Sequence, residues 1–212
     1  GTSIDMNVAL IFAGGTGQRM NNGSTPKQFL ELHGKPIMIY TLEIFEKHPD
    51  IDGVVVVCLE SWIPYLDKML NRFEILKVKA IVPGGSTGQE SIKNGLLKLN
   101  ELYSRDVVVL VHDGVRPLVT AETISNNIAC AKKNGNAITV APVVETIIVK
   151  TETNHVAEIF DRSMISVAKA PQCFILGDII DAHRRAEKDN VTNMIDSASL
   201  MKHYGAHLHM VE

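Results

Sequence analysis

The chain has 212 residues, 45% hydrophobic and 21% charged, enough for one buried core, so a single domain over residues 6–212 is expected. A net charge of −3 without blocks of like charge leaves no basic field for nucleic acid, and no apolar run reaches the roughly 18–20 residues of a membrane span. No basic-then-apolar leader opens the chain, and Cys58, Cys130 and Cys173 stand far apart in apolar or small-residue settings, which predicts a cytoplasmic protein with structural thiols rather than disulfides or zinc.

"GTSID" before Met6 reads as a tag remnant and is left out of the fold. "NVALIF" (7–12) then predicts a strand, followed by the glycine-rich "AGGTGQRMNNGSTPKQF" and by a helical period in "PIMIYTLEIFEKH" (36–48). "GVVVVCL" (53–59), "KVKAIVP" (77–83), "DVVVLVHD" (106–113) and "NAITVAPV" (136–143) are further strands, apolar enough to be buried on both faces. Helices are expected between them in "WIPYLDKMLNRF", "QESIKNGLLKLNELY" and "AETISNNIACAKKNG", the last closing on a lysine pair and Gly135. This βαβ alternation predicts an α/β fold, a mostly parallel sheet with helices on both faces and ligands at the strands' carboxyl ends. From Thr146 the rhythm changes. "TIIVKTETNHVAEIF" predicts a hairpin projecting as a β-arm over 146–163, and a helix in "DSASLMKHYG" and a strand in "AHLHMVE" complete the reading.

Three segments carry candidate chemistry. The glycine turn after the first strand fits neither dinucleotide fingerprint, since Met20 stands where a glycine belongs, nor P-loop, since Lys27 lies ten residues beyond Gly17. It does offer backbone amides to an anion, with Arg19 and Lys27 placed to clamp a polyphosphate; the alternative is a plain turn with solvated cations. In "VHDGVRP", Asp113 at a strand's carboxyl end is a candidate Mg²⁺ ligand with Arg116 adding positive charge, the alternative being an Asp turn paired to Arg116, and His112 reads as a packed strand residue. "GGSTGQESIKNGL" (84–96) either cradles a base or ribose or is a simple helix entry.

Taken in order, "AGGTGQRM…PKQF", "GGSTGQESIKNGL", "VHDGVRP", "APVVET", "FDR" and "APQCF" resemble the CTP-dependent cytidylyltransferases acting on methylerythritol 4-phosphate and ribitol 5-phosphate. The resemblance implies a Rossmann-like α/β domain, a homodimer with shared active sites, and transfer of CMP from CTP to an alditol phosphate in isoprenoid, teichoic acid or capsule biosynthesis. By position it implies that Ala13, Gly14, Gly15 and Gly17 line the nucleotide, that Arg19 and Lys27 are catalytic, and that Gly85 and Ser91 contact cytosine and ribose. Asp113 would hold Mg²⁺, while Thr146 and Arg162, with Arg116 nearby, would hold the acceptor's phosphate. Gly88 replaces a usual arginine, Ala170 replaces a usual threonine before "PQ", and the sequence stops at "HMVE", ahead of the family's closing N-x-K-x-T segment. "PKQFLEL" and the tryptophan of "ESWIPYLDKML" lean to the ribitol branch. A CTP-binding dimer with lost or altered acceptor activity, and an NAD-binding oxidoreductase, stay open as alternatives.

Overall fold

A computed structural model describes residues 5–12 and 25–212. In chain order, β1 (Asn7–Phe12) is followed by the short pair β2 (Glu31–Leu32) and β3 (Lys35–Pro36), then α1 (Ile37–Lys47), β4 (Gly53–Cys58), α2 (Ile63–Arg72) and β5 (Val78–Pro83). Next come α3 (Gly88–Leu102), β6 (Val108–Asp113), α4 (Ala121–Asn134) and β7 (Asn136–Pro142). The hairpin β8 (Ile148–Lys150) and β9 (Val156–Ile159) leads to β10 (Ser166–Ile175), α5 (Leu176–Lys188), α6 (Ser197–His203) and β11 (Met210–Val211).

Seven strands make one sheet in the order β11-β7-β10-β6-β1-β4-β5. β1 pairs in parallel with β4 and β6, β4 with β5, and β7 with β11; β10 runs antiparallel between β6 and β7. The continuous apolar runs are explained by burial on both faces. Ala9, Ile11, Val54, Val56 and Leu110 point to a core shared with Leu42 and Phe45 of α1, Leu66 of α2 and Ile124 of α4. Their alternates Val8, Leu10, Val55, Val57 and Val109 meet Leu96 and Leu99 of α3, Ile179 and Ile180 of α5 and Leu200 of α6.

Helix ends follow local chemistry. Thr87, Thr120 and Asp196 cap α3, α4 and α6 by accepting from Glu90 N, Thr123 N and Ser199 N at 3.1, 3.1 and 2.8 Å. The expected end of α4 is met: Gly135 takes the left-handed conformation, φ 91°, just beyond Lys132 and Lys133.

The expected arm is a two-stranded hairpin, with Ile148 paired to Ile159 and every residue of β8 and β9 exposed. The closing strand is shorter than expected, confined to Met210–Val211. β10 and α5 form where the sequence reading placed no element. All three cysteines are free thiols, Cys58 and Cys173 fully buried, and burial alone lifts the Cys58 thiol to about 12. Among the described residues no helix is long and apolar enough to cross a membrane.

Candidate active site

A cleft of about 940 Å³ opens where β1 and β6 end at their carboxyl termini. Phe12 and Asp113 are register partners there, so the residue before the glycine-rich segment lies beside the candidate metal ligand. Ser91 and Arg116 line the same cleft, and with Asp113 they are the expected residues the structure brings together. Ala13, Gly14, Gly15, Gly17 and Arg19 lie outside the described residues.

Asp113 forms a turn but does not pair with Arg116. Its Oδ1 accepts from Val115 N at 3.0 Å, while Oδ2 makes no hydrogen bond or ion pair to a described residue. Gly114 tucks the turn beneath the site, its amide donating to Phe12 O at 2.8 Å and its carbonyl accepting from Thr41 Oγ1 at 2.8 Å. Arg116 is exposed and, among the described residues, hydrogen-bonds only through its backbone: its amide donates to Asp113 O at 3.1 Å, and its carbonyl accepts from His112 Nε2 at 2.9 Å. His112 is the packed strand residue expected, buried against Phe45 with ring centroids 5.4 Å apart; burial holds its pKa below the usual value, outweighing the hydrogen bond to Arg116.

The second glycine segment is held from within. Ser91 Oγ accepts from Gly85 N at 2.9 Å, and Gly84 N donates to Cys58 O at 2.9 Å, fixing the turn between β5 and α3. Glu90 Oε2 accepts from the Ser86 hydroxyl and amide at 2.6 and 3.1 Å, and those bonds hold its carboxyl below the ordinary range. Gly85 has no room for a side chain, because an added Cβ would lie 2.4 Å from Glu90 Cγ. At Gly88 the same construction meets nothing within 4 Å, so the cleft is open at the start of α3.

Lys27 is exposed in a one-turn 3-10 helix, Lys27–Phe29, and does not line the cleft. That turn is anchored by Phe29, stacked on Trp62 at 5.1 Å and edge-on to Tyr65 at 5.6 Å. Thr146 and Arg162 flank the arm, both exposed and neither lining the cleft of their own chain; Arg162 Nη1 donates to Val144 O at 2.8 Å.

The cleft also takes in Lys169, Gln172, His183, Asp196 and Ser197, which sequence reasoning did not single out. A register shift in β10 between Ala168 and Gln172 turns Lys169 and Ala170 into the cleft wall. Gln172 Nε2 donates to Asp196 Oδ2 at 3.0 Å. Burial raises the Asp196 pKa, but hydrogen bonds from Ser199 and Gln172 outweigh it and leave the carboxyl below its usual value. "APQ" marked this neighbourhood in the sequence, while a lone histidine on the apolar stripe of α5 carried no signal separating it from core.

No cluster of three or more metal-ligating side chains occurs among the described residues. A magnesium ion would have to be held by Asp113 together with substrate phosphates, and the free Oδ2 fits that donor set.

The sequence matches the IspD: 2-C-methyl-D-erythritol 4-phosphate cytidylyltransferase family over residues 7–212. It is 54% identical over 206 residues to a ribitol-5-phosphate cytidylyltransferase of Vibrio parahaemolyticus, covering 97% of this chain and 87% of that protein. It is 37% identical over 210 residues to a 2-C-methyl-D-erythritol 4-phosphate cytidylyltransferase of Clostridium botulinum, covering 99% and 89%. In fold it resembles the 4-diphosphocytidyl-2C-methyl-D-erythritol synthase of Anaerococcus prevotii, with TM-score 0.82 at 22% identity over 100% of this chain and 89% of that one. The match over nearly the whole sequence, on a sheet whose carboxyl ends bear the cleft, establishes that the chain belongs to the IspD cytidylyltransferase family.

Proposed function

We propose that the chain transfers CMP from CTP to ribitol 5-phosphate, releasing pyrophosphate. The observation that carries this reading is the presence in one cleft of the Asp113 carboxylate, with one oxygen left free by the described residues, and the Arg116 guanidinium, ion-paired to none of them, beside the end of β1 where the glycine-rich segment begins. The choice of ribitol phosphate over methylerythritol phosphate rests on the higher identity to the ribitol enzyme, 54% against 37%.

A phosphate oxygen of the acceptor attacks the α-phosphorus of CTP in line, and the bond from that phosphorus to the bridging oxygen breaks as pyrophosphate leaves. The nucleophile is already an anion, so the step needs positioning and charge neutralisation rather than a strong base. Arg19 and Lys27 would offset charge on the α-phosphate and leaving group, each lowering the barrier by on the order of 3 kcal/mol. Asp113 would hold Mg²⁺ together with the substrate phosphates, and the ion would supply neutralisation of their charge. Ala13, Gly14, Gly15, Gly17, Gly85 and the turn held by Ser91 would hold the nucleotide, Arg116 the acceptor's phosphate.

Thr146 and Arg162 do not line their own cleft, and the arm between them exposes Ile148, Val149, Val156 and Ile159 at 40–63%. A two-stranded hairpin with that surface is marginal alone, so we assign it to a twofold dimer in which Thr146 and Arg162 of a second copy complete the acceptor site.

The test is pyrophosphate release from CTP with ribitol 5-phosphate and, separately, 2-C-methyl-D-erythritol 4-phosphate, with and without Mg²⁺. Turnover favouring ribitol 5-phosphate is expected; CTP binding without turnover on either acceptor would leave only a nucleotide-binding dimer.

A further inference from the structure

Six buried side-chain oxygen or nitrogen atoms make no hydrogen bond to a described residue, and four of them belong to residues lining the cleft: His112 Nδ1, His183 Nδ1, His183 Nε2 and Ser197 Oγ. Of the other two, Glu43 Oε1 is ion-paired with Lys35 and Asn7 Oδ1 lies elsewhere. His183 and Ser197 are only 4% and 3% exposed. Buried polar groups are nearly always partnered, so a cleft floor that gathers several without partners is built to receive hydrogen-bonding groups from outside the chain.

The floor is also neutral. Burial, with the Lys93 ammonium as a smaller cause, pulls the His183 pKa to about 4, so at neutral pH its ring presents one donor and one acceptor. Ser197 offers a hydroxyl, and His112, whose Nε2 hydrogen goes to Arg116 O, offers a bare acceptor at Nδ1. The charged groups Asp113, Arg116, Lys169 and Asp196 lie at more exposed positions, Asp196 with its carboxylate engaged by Gln172 and Ser199. Paired donors and acceptors without charge suit hydroxyl groups and do not suit phosphate.

We propose that His183 and Ser197 form a subsite that binds hydroxyl groups of the alditol chain, so that the floor reads the polyol while the charged mouth holds phosphate. This rests on the cytidylyltransferase reading and adds to it a determinant of acceptor choice. The ribose of CTP carries the same chemistry; β10, which leads into α5, lies on the opposite side of β6 from β1 and β5, the strands that end in the nucleotide turns, while α3 packs against α5 through Lys93 and Glu187, so the kinetic test below separates the two occupants. Ribitol 5-phosphate carries one more free hydroxyl than methylerythritol 4-phosphate and no methyl branch, so a hydroxyl-binding floor favours it. A site built to bond a hydroxyl discriminates strongly against an analogue that leaves its buried groups unpaired.

The test uses His183→Leu and Ser197→Ala in the full chain, assayed by pyrophosphate release. Each should raise KM for ribitol 5-phosphate roughly five- to tenfold while KM for CTP stays within about twofold, and His183→Leu should not lower Tm, since leucine removes unpartnered polar atoms from an apolar surround. Acceptors lacking single hydroxyls sharpen the assignment: the deoxy analogue missing the bonded hydroxyl should lose rate with wild type and lose little more with the matching variant. Unchanged KM for ribitol 5-phosphate in both variants would overturn the proposal, as would losses additive with every deoxy analogue, the result for a floor filled by water only. A rise in KM for CTP that vanishes with 2′-deoxy-CTP would move the subsite to the ribose and overturn it too. Failure of wild-type protein to release pyrophosphate with any alditol phosphate would instead reject the cytidylyltransferase reading, and the alditol occupant with it.

Discussion

Gln172 holds Asp196 from the neighbouring element: its Nε2 donates to Asp196 Oδ2 at 3.0 Å while its Oε1 accepts from Ala198 N at 3.0 Å, tying the start of α6 to β10. The substitution Gln172→Glu removes the donor and sets a second carboxylate against Asp196. We expect it to cost about 2–3 kcal/mol at pH 8 and less near pH 5, where the added carboxyl protonates, whereas Gln172→Ala should cost a similar amount at both. Urea midpoints at the two pH values read the difference, and equal losses for Gln172→Glu at both would count against the clamp.

At Gly85 an added methyl would lie 2.4 Å from Glu90 Cγ and 2.7 Å from Glu90 Cβ. Rotating the Glu90 side chain moves Cγ but leaves Cβ in place, so the backbone of the turn has to shift. Gly85→Ala should raise KM for CTP at least tenfold with a stability loss of about 1–3 kcal/mol, and adding Glu90→Ala should not restore it. Recovery in the double variant would show that the contact with the side chain's outer atoms alone matters.

Gly88 begins α3 with open space around it. Gly88→Ala should therefore stabilise the fold by roughly 0.4–1 kcal/mol through the unfolded chain. Gly88→Arg should keep the fold and lower KM for CTP by placing a cation in the cleft. Thermal melts and steady-state kinetics check both, and a destabilised alanine variant would contradict the open geometry.

His183 should make the protein acid-sensitive. Its pKa in the fold, about 4, lies below the ordinary histidine value of 6.5, so on acidification the unfolded chain takes up a proton first. The associated stability is complete above about pH 6.5 and drains at up to roughly 1.4 kcal/mol per pH unit between 6.5 and 4. Lys93, facing it from α3, adds to the effect, and His112, shifted in the same direction, remains in any His183 variant. Denaturation of His183→Leu from pH 7 to 4.5 should show a shallower fall than wild type, and parallel curves would refute the assignment.

Lys27 projects from a turn whose anchoring is done by buried Gln28 and Phe29. Lys27→Ala should lower turnover by a hundredfold or more with a stability change within about 0.5 kcal/mol. If Arg162 serves the partner's cleft, mixing Lys27→Ala and Arg162→Ala chains in equal amounts gives half mixed dimers, each with one intact site, about a quarter of wild-type sites overall. No rescue after verified exchange would reject the shared site.

The parallel half of the sheet was legible because β1, β4 and β6 are buried along their lengths and their sequences show it as unbroken apolar runs. The end of α4 and the hairpin were legible from local chemistry. β10 was not, because its first four residues are exposed, its later ones buried, and a register shift separates them, so no single period runs through it. Asp113 and Arg116 could be placed in one cleft from the strand-end rule, whereas Gln172, His183 and Ser197 meet there only through contacts across the fold. Ser91 proved to be a brace for Gly85 within the cleft wall, a role that spacing alone does not distinguish from direct contact with a ligand.

The antiparallel strand wedged between β6 and β7 also sets the order in which the molecule can be made on the ribosome. β5, β4, β1 and β6 can pair as soon as Asp113 has emerged, but β7 has no place in the sheet until β10 arrives, because only β10 joins it to β6. A nascent chain that has released α4 and β7 therefore carries an unsatisfied strand edge and an uncovered apolar face until α5 and α6 follow. Slowing elongation just after Pro142 should lengthen that exposure and increase aggregation or chaperone capture, and the cleft, which needs residues from both ends of this interval, is completed last.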